Sequence, residues 1–276
     1  MPALIIILLF TAYPLVRAFL MSFYEDYNMI SGEYSRIGLG NYKDLFGDKD
    51  FTKALRNTSI YVVFVVPCSI ALSLLIAVLL NSNIKFRGLF QTIFFLPYVT
   101  SVIAIGLVWS WIFNSNYGLL NYVLSWFGIA KVQWLNKPKY ALPSLIIFSV
   151  WKSMAFDILI FLAGLQTIPK DLYNAARVDS TPRWRVFWKI TVPGIAPMIS
   201  YAFIMGFISA FKVYNEVFSL WSGKAGPANS AITVVYYIYD KFYNSHNYGL
   251  ASAAAVILFL IILVLTVVQR MMGKKK

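Results

Sequence analysis

A chain of 276 residues that is 59% hydrophobic and only 13% charged falls outside the soluble range, where about a quarter of residues are charged. Its formal charge of +13 would suit nucleic acid, but on so apolar a chain basic residues mark the cytoplasmic ends of membrane helices. One cysteine, Cys68, and one histidine, His246, exclude a disulfide framework and a Cys/His metal site within the chain.

Six segments are long and apolar enough to cross about 30 Å of hydrocarbon, which takes about 20 helical residues. The first, 3–23, has no basic start and no small-residue cleavage site, so it reads as a span and not as a secretory leader. The second and third cover 59–80 and 89–113. "YGLLNYVLSWFGI" (117–129) is apolar at helical spacing but too short to cross, so it should lie along the outer interface or cap a pathway. The fourth covers 140–165, the fifth 196–221 and the sixth 250–268. These spans predict an all-α polytopic membrane protein with a single transmembrane domain over 1–276.

Six spans put both termini on one side. The tail Arg270, Lys274, Lys275 and Lys276, the short loop with Lys85 and Arg87, and the loop 166–195 with Lys170, Arg177, Arg183, Arg185 and Lys189 share it, against Asp171 and Asp179 alone. The longer loops opposite hold Glu25, Asp26, Glu33, Asp44, Asp48, Asp50 and Asp240. Basic density therefore places the termini and the loop 166–195 in the cytoplasm.

That loop reads as helix, turn, helix. Pro169 suits a first turn, Asp171 favours the positive dipole end, and "DLYNAARV" extends the helix to about Asp179. "STP" stops it, with Thr181 as N-cap and Pro182 as first residue of a second helix that Pro193 ends. Leu172, Ala175, Ala176, Val178, Val186, Phe187 and Ile190 are expected on one apolar face. A mere connector needs neither two capped helices nor such a face, so the loop reads as a docking knob.

Catalytic chemistry is missing. No G-x-x-x-x-G-K-[ST] occurs, and "GKAGPANS" (223–230) has its glycines and lysine in the wrong order, so the chain does not hydrolyse ATP itself. No Ser/His/Asp set can form, and the intramembrane acids Asp157 and Glu216 lie on different spans. Energy must come from a partner or an ion gradient.

"NAA" at Asn174 to Ala176, Ser180, Ile190, Val192 and Pro193 match, at their spacing, the Glu-Ala-Ala…Gly…Ile-x-Leu-Pro loop, and the chain resembles ABC importer permeases. "FFLPYVTSVIAIGLVWSWIFN" (94–114), "LLNYVLSWFGI" (119–129), "FLAGLQTIPKDLYNAARVD" (161–179) and "GPANSA" (226–231) resemble the carbohydrate-uptake branch in order, over essentially the whole chain. Chains of that family usually begin with a basic tail, which leaves a later start or a truncation open here. The resemblance implies the type I importer permease fold, with the cytoplasmic loop coupling to an ABC ATPase dimer. It also implies a second permease chain in a heterodimer, an external solute-binding protein and no nucleic acid. ATP and Mg would be used by the ATPase, and this chain would hold no cofactor. Coupling would fall to Asp171, Asn174, Ala175, Ala176, Arg177, Asp179, Ser180, Ile190 and Pro193. Asn174 stands in the usual Glu place and Ser180 in that of a Gly that permits a tight turn.

A secondary transporter, the alternative, would need internal repeats and discontinuous helices with ion ligands at mid-membrane. No repeat between the halves is visible, and the docking loop favours the importer.

Lys152 lies about 18 Å down the fourth span from Tyr140 and Asp157 about 25 Å, by the helical rise. Both must face protein or water. Lys212 and Glu216, four apart, are placed to pair, and gluing helices together is the plainer role for such charges. A sugar wants hydroxyl-directed hydrogen bonds and an aromatic face. Because family pathways use spans three, four and five, Tyr98, Lys152, Ser153, Phe156, Lys212 and Asn215 are the candidates.

Overall fold

The computed structural model describes residues 2–82 and 84–273. Helix α1 (Ala3–Met21), with a π-helical stretch at Leu8–Ala12, is almost wholly exposed. Only its C-terminal end is tied down. Ser22 Oγ sits 2.7 Å from the Tyr42 hydroxyl, and Asn41 Nδ2 donates to the Ser22 and Tyr24 carbonyls at 3.1 and 2.9 Å. Beyond it β1 (Tyr24–Glu25) pairs antiparallel with β2 (Arg36–Ile37), the two strands among the described residues. Glu25 ties this ladder to Arg36 and accepts the Gly40 N–H at 2.8 Å.

After α2 (Gly40–Gly47), Asp48 caps α3 (Lys49–Asn81) by accepting the Asp50 N–H at 2.8 Å. The expected third span, 89–113, is two helices. α4 (Arg87–Val99) and α5 (Val102–Ile112) meet at 105°. Pro97 supplies no N–H to the ladder, and the Thr100 hydroxyl donates to the Leu96 carbonyl at 2.8 Å, so the chain leaves the helix without stranding that acceptor.

α6 (Leu119–Ser125) precedes α7 (Pro138–Thr167). The loop 166–195 carries α8 (Lys170–Val178) and α9 (Arg183–Gly194). Here Pro182, not Thr181, is the N-cap, and α9 passes through Pro193 to Gly194. A π-helical turn, Phe187–Thr191, precedes Pro193, and its wider bonding accommodates the missing N–H. At Ile195 the chain turns by 68° into α10 (Ala196–Phe211). The fifth span therefore stops at Phe211 and not at 221. The Val213 carbonyl left free by the break accepts from Thr233 Oγ1 at 2.9 Å, which lets irregular backbone exist inside the bundle. α11 (Asn215–Leu220), α12 (Val234–Tyr239), continued by a π turn at Asp240–Asn244, and α13 (Tyr248–Gly273) complete the chain. By length and composition α1, α3, α7 and α13 can each cross a membrane, and the bent pairs α4–α5 and α9–α10 bring the number up to 6.

The α3–α7 pair is the most extensive contact. Tyr61, Val65 and Val66 share one buried cluster with Leu145, Phe148, Phe211 and Val217, and Leu74, Ala77, Ile158, Phe161 and Ile195 form a second. In a bilayer the alternative environment is lipid and not water, so close packing, not expulsion of water, holds these helices together. At Gly106 a Cβ would collide with Ser219, so this glycine is what lets α5 and α11 touch.

Candidate functional site

Between α3, α4, α7, α10 and the break after α10 lies a cavity of about 340 Å³. Tyr98, Lys152, Ser153, Phe156, Lys212 and Asn215, the six candidates read from the sequence, all line it. Tyr98 comes from α4 and lies stacked on Phe156 of α7, centroids 5.0 Å apart at 18°. Tyr98 is about half exposed, so this aromatic surface is open. Lys152, Ser153 and Phe156 recur at three- and four-residue spacing, which places them on one face of α7.

The expected Lys212–Glu216 pair does not form. Helical geometry ends at Phe211 and resumes at Asn215, so the four-residue register is lost. Glu216, in the first turn of α11, pairs instead with Lys152 at 2.5 Å. Lys212 is exposed at the cavity edge. The cavity also takes in Tyr61 and Ser69 from α3, together with Ser149, Asp157 and Glu216, none of which was among the six candidates. Tyr61, Ser69 and Ser73 fall on one row of every fourth residue along the second span, with Val65 between them, and that row of hydroxyls was the signal that this face points inward.

At the loop 166–195 the two helices pack through Tyr173, whose hydroxyl lies 3.2 Å from Thr191 Oγ1. They flank a groove of about 630 Å³ lined by Ala176, Arg177, Ser180, Thr181, Arg183 and their neighbours. The single apolar face expected here is split in two. Phe187 and Ile190 pack on the second core cluster with Tyr173, and Ala176 is buried within the chain, whereas Leu172, Ala175 and Val178 are exposed. Trp184 and Trp188 join that outer surface at 67% and 59% exposure. Asp171, Asn174, Arg177, Asp179 and Pro193 are also exposed. Ser180 turns the chain with φ of 50°, the left-handed conformation a glycine adopts without strain, and the Thr181 N–H closes the turn on the Ala176 carbonyl at 2.9 Å.

On the hairpin side, "GPANSA" is anchored by α3. Asn57 Nδ2 donates to the Ser230 and Ile232 carbonyls, both at 3.0 Å, and Lys53 reaches the Ala228 carbonyl at 2.7 Å. α6 shows Leu119 and Tyr122 to its surroundings while Asn121 beneath holds the following loop through Val132 and Trp134.

A helical bundle with broken helices around a polar and aromatic cavity, and a loop packed across one end, defines an integral-membrane transport component. Residues 69–276 match the family described as "Binding-protein-dependent transport system inner membrane component", and the chain belongs to that family. It is 34% identical over 270 residues to the arabinooligosaccharides transport system permease protein AraP of Halalkalibacterium halodurans, covering 97% of this chain and 84% of that one. The trehalose/maltose transport system permease protein MalF of Thermococcus litoralis is 32% identical, covering 99% and 92%. The lactose transport system permease protein LacF of Rhizobium radiobacter is 33% identical, covering 97% and 90%. Among solved structures, a chain of a bacterial ABC transporter involved in import of the acidic polysaccharide alginate is 26% identical, covers 100% of this chain and 93% of that one, and has a TM-score of 0.85. The fold is that of an ABC importer permease. It is a transport component and not an enzyme.

Proposed function

We propose that residues 1–276 form one transmembrane permease domain of an ATP-driven importer in a prokaryotic cell membrane, with both termini and the loop 166–195 cytoplasmic. With a second permease chain it forms the pathway for a sugar or related polyol, handed over by an external solute-binding protein at the hairpin, α6 and "GPANSA" side. ATP and Mg are used by a partner ATPase dimer, which docks on the exposed loop surface around Asn174, Ala175, Arg177 and Asp179. Ser180 sets the turn there, and Ile190 seats α9 on the bundle. Tyr98, Lys152, Ser153, Phe156, Lys212 and Asn215 face the solute. One observation carries the reading: a cavity that joins an open aromatic stack to hydroxyl, amide and ammonium groups, which is the surface a sugar ring needs. The sugars named for the relatives support it.

The test is co-expression with a cognate second permease, ATPase and binding protein, followed by uptake in proteoliposomes. ATP-dependent sugar uptake that needs all four components is expected. Uptake driven by a proton or sodium gradient through this chain alone would overturn it.

A further inference from the structure

We propose that the outward face of α9 binds anionic headgroups of the cytoplasmic leaflet, with Trp184 and Trp188 seated at headgroup depth and Arg183, Arg185 and Lys189 on the lipid phosphates. The inference rests on the reading above that the loop 166–195 is cytoplasmic.

α9 meets the apolar α10 at 68°, so its axis turns away from the span and towards the plane of the membrane. One side of it is taken up by the chain itself. Phe187, Ile190 and Val192 pack on the second core cluster, and Val186 lines the groove beside α8. The other side carries Trp184 and Trp188, four residues apart, and beside them Arg185 and Lys189 at the same spacing, with Arg183 at the helix start. All five are exposed. None of the three basic groups forms an ion pair among the described residues. An indole has an apolar body and a polar N–H, and it satisfies both where one end is apolar and the other wet. Tryptophans flanked by Lys and Arg are the composition of a helix lying in the membrane–water interface.

Charge then decides between a lipid surface and a protein partner. α8 and its C-cap carry Lys170 and Arg177 against Asp171 and Asp179, a balanced set that suits a protein surface. α9 carries Arg183, Arg185 and Lys189 and no acid. The two helices of one loop are sorted by charge, and only the acid-free one bears exposed tryptophans. That face complements the negative surface of the cytoplasmic leaflet, where each basic side chain adds roughly fivefold to the attraction. Seated so, α9 fixes the depth of the loop and with it the level at which α8 is presented to the ATPase.

The test uses the full assembly, with second permease, ATPase and binding protein, in vesicles of phosphatidylcholine and phosphatidylglycerol in equal parts, brominated on one lipid or the other. The tryptophan fluorescence lost with Trp184→Leu and Trp188→Leu together belongs to α9. That share should be quenched about twice as strongly by brominated phosphatidylglycerol as by brominated phosphatidylcholine. Arg183→Gln, Arg185→Gln and Lys189→Gln, made together and one at a time, should bring the two lipids towards equality while the assembly still elutes as one complex, because all five positions are exposed. Equal quenching by the two lipids in the unsubstituted chain overturns the anionic site. Indoles that neither lipid quenches, or that are quenched only once the ATPase is stripped off, overturn it as well, the second result assigning the face to the ATPase. Orientation is checked apart, in a Cys68→Ser chain, because Cys68 is exposed. In intact cells a membrane-impermeant maleimide should label Ser31→Cys on the hairpin and spare Val178→Cys on α8, both exposed positions. The reverse pattern overturns the cytoplasmic reading and this inference with it, whereas the expected pattern without lipid quenching strikes the lipid site alone.

Discussion

Lys152 on α7 and Glu216 on α11, 64 positions apart, meet at 2.5 Å on the wall of the cavity and clamp the broken end of the fifth span to the fourth. Their side chains are 24% and 16% exposed, so each charge is largely removed from solvent. Removing one partner strands the other at about 3–5 kcal/mol, whereas removing both avoids that penalty. Lys152→Met or Glu216→Gln should therefore lower the melting temperature of the purified complex, and the double variant should recover most of the loss. Additive losses in the double variant would mean that the two charges act apart.

Phe156→Ala and Asn215→Ala should weaken uptake at limiting solute without weakening assembly. A stacking face or a polar contact is worth about 1–3 kcal/mol, hence roughly tenfold in uptake. Failure of either variant to assemble would make that residue a packing element. Wild-type uptake by both would move the pathway elsewhere.

Ser180 adopts the left-handed conformation that costs an L-residue about 1–2 kcal/mol and glycine almost nothing. Ser180→Gly should stabilise the loop by about 0.5–1 kcal/mol after the extra freedom of glycine in the unfolded chain is counted. Denaturant unfolding of the complex measures it, and a destabilised variant would show that the serine side chain holds the turn.

Arg177 is exposed and Ala176 buried, so charge reversal and overpacking should fail differently. Arg177→Glu should leave the fold intact and separate ATP hydrolysis from uptake. Ala176→Leu should lower stability by about 1–3 kcal/mol through crowding inside this chain. Normal transport by Arg177→Glu together with normal stability of Ala176→Leu would reduce the loop to a connector.

Asp48 gives a pH dependence. Burial raises its pKa, but hydrogen bonds from Tyr237 (2.8 Å) and Lys241 (3.0 Å), with the Asp50 N–H, outweigh burial and hold it below its ordinary 3.8. A depressed carboxyl contributes stability above its unfolded pKa and loses it as pH falls through the folded value. The melting temperature should stay level from neutral pH down to about 5 and drop below about 4, and Asp48→Asn should flatten that drop. An unchanged acid slope in the variant would assign it to other carboxyls.

The spans and the loop helices were legible because each rests on local chemistry, apolar length and proline placement, whereas the six cavity residues were reached through the family resemblance, which pointed to spans three, four and five. Hinges were not legible. Pro97 and Thr100 mark the α4–α5 break only once the Thr100 hydroxyl is seen to cap Leu96, and nothing near Lys212 announces that α10 ends there, because the compensating donor, Thr233, is remote in sequence. The partner of Glu216 was unreadable for the same reason. Tyr61 and Ser69 had a signal in their fourfold row, but the expected pathway left the second span out. On the loop, exposure depends on which side α9 lies against the bundle, and spacing alone merged two faces that the fold separates.

The exposed first helix has a mechanical consequence. Because Ser22, Asn41 and Tyr42 grip only its C-terminal end, α1 behaves as a cantilever whose free arm carries a row of Leu, Ile and Phe with no counterpart in its own chain. Force on that arm is delivered at its foot, which rests beside α2 and against α13, and from there through Asp48 to the head of α3, the helix that carries Tyr61 and Ser69 into the cavity.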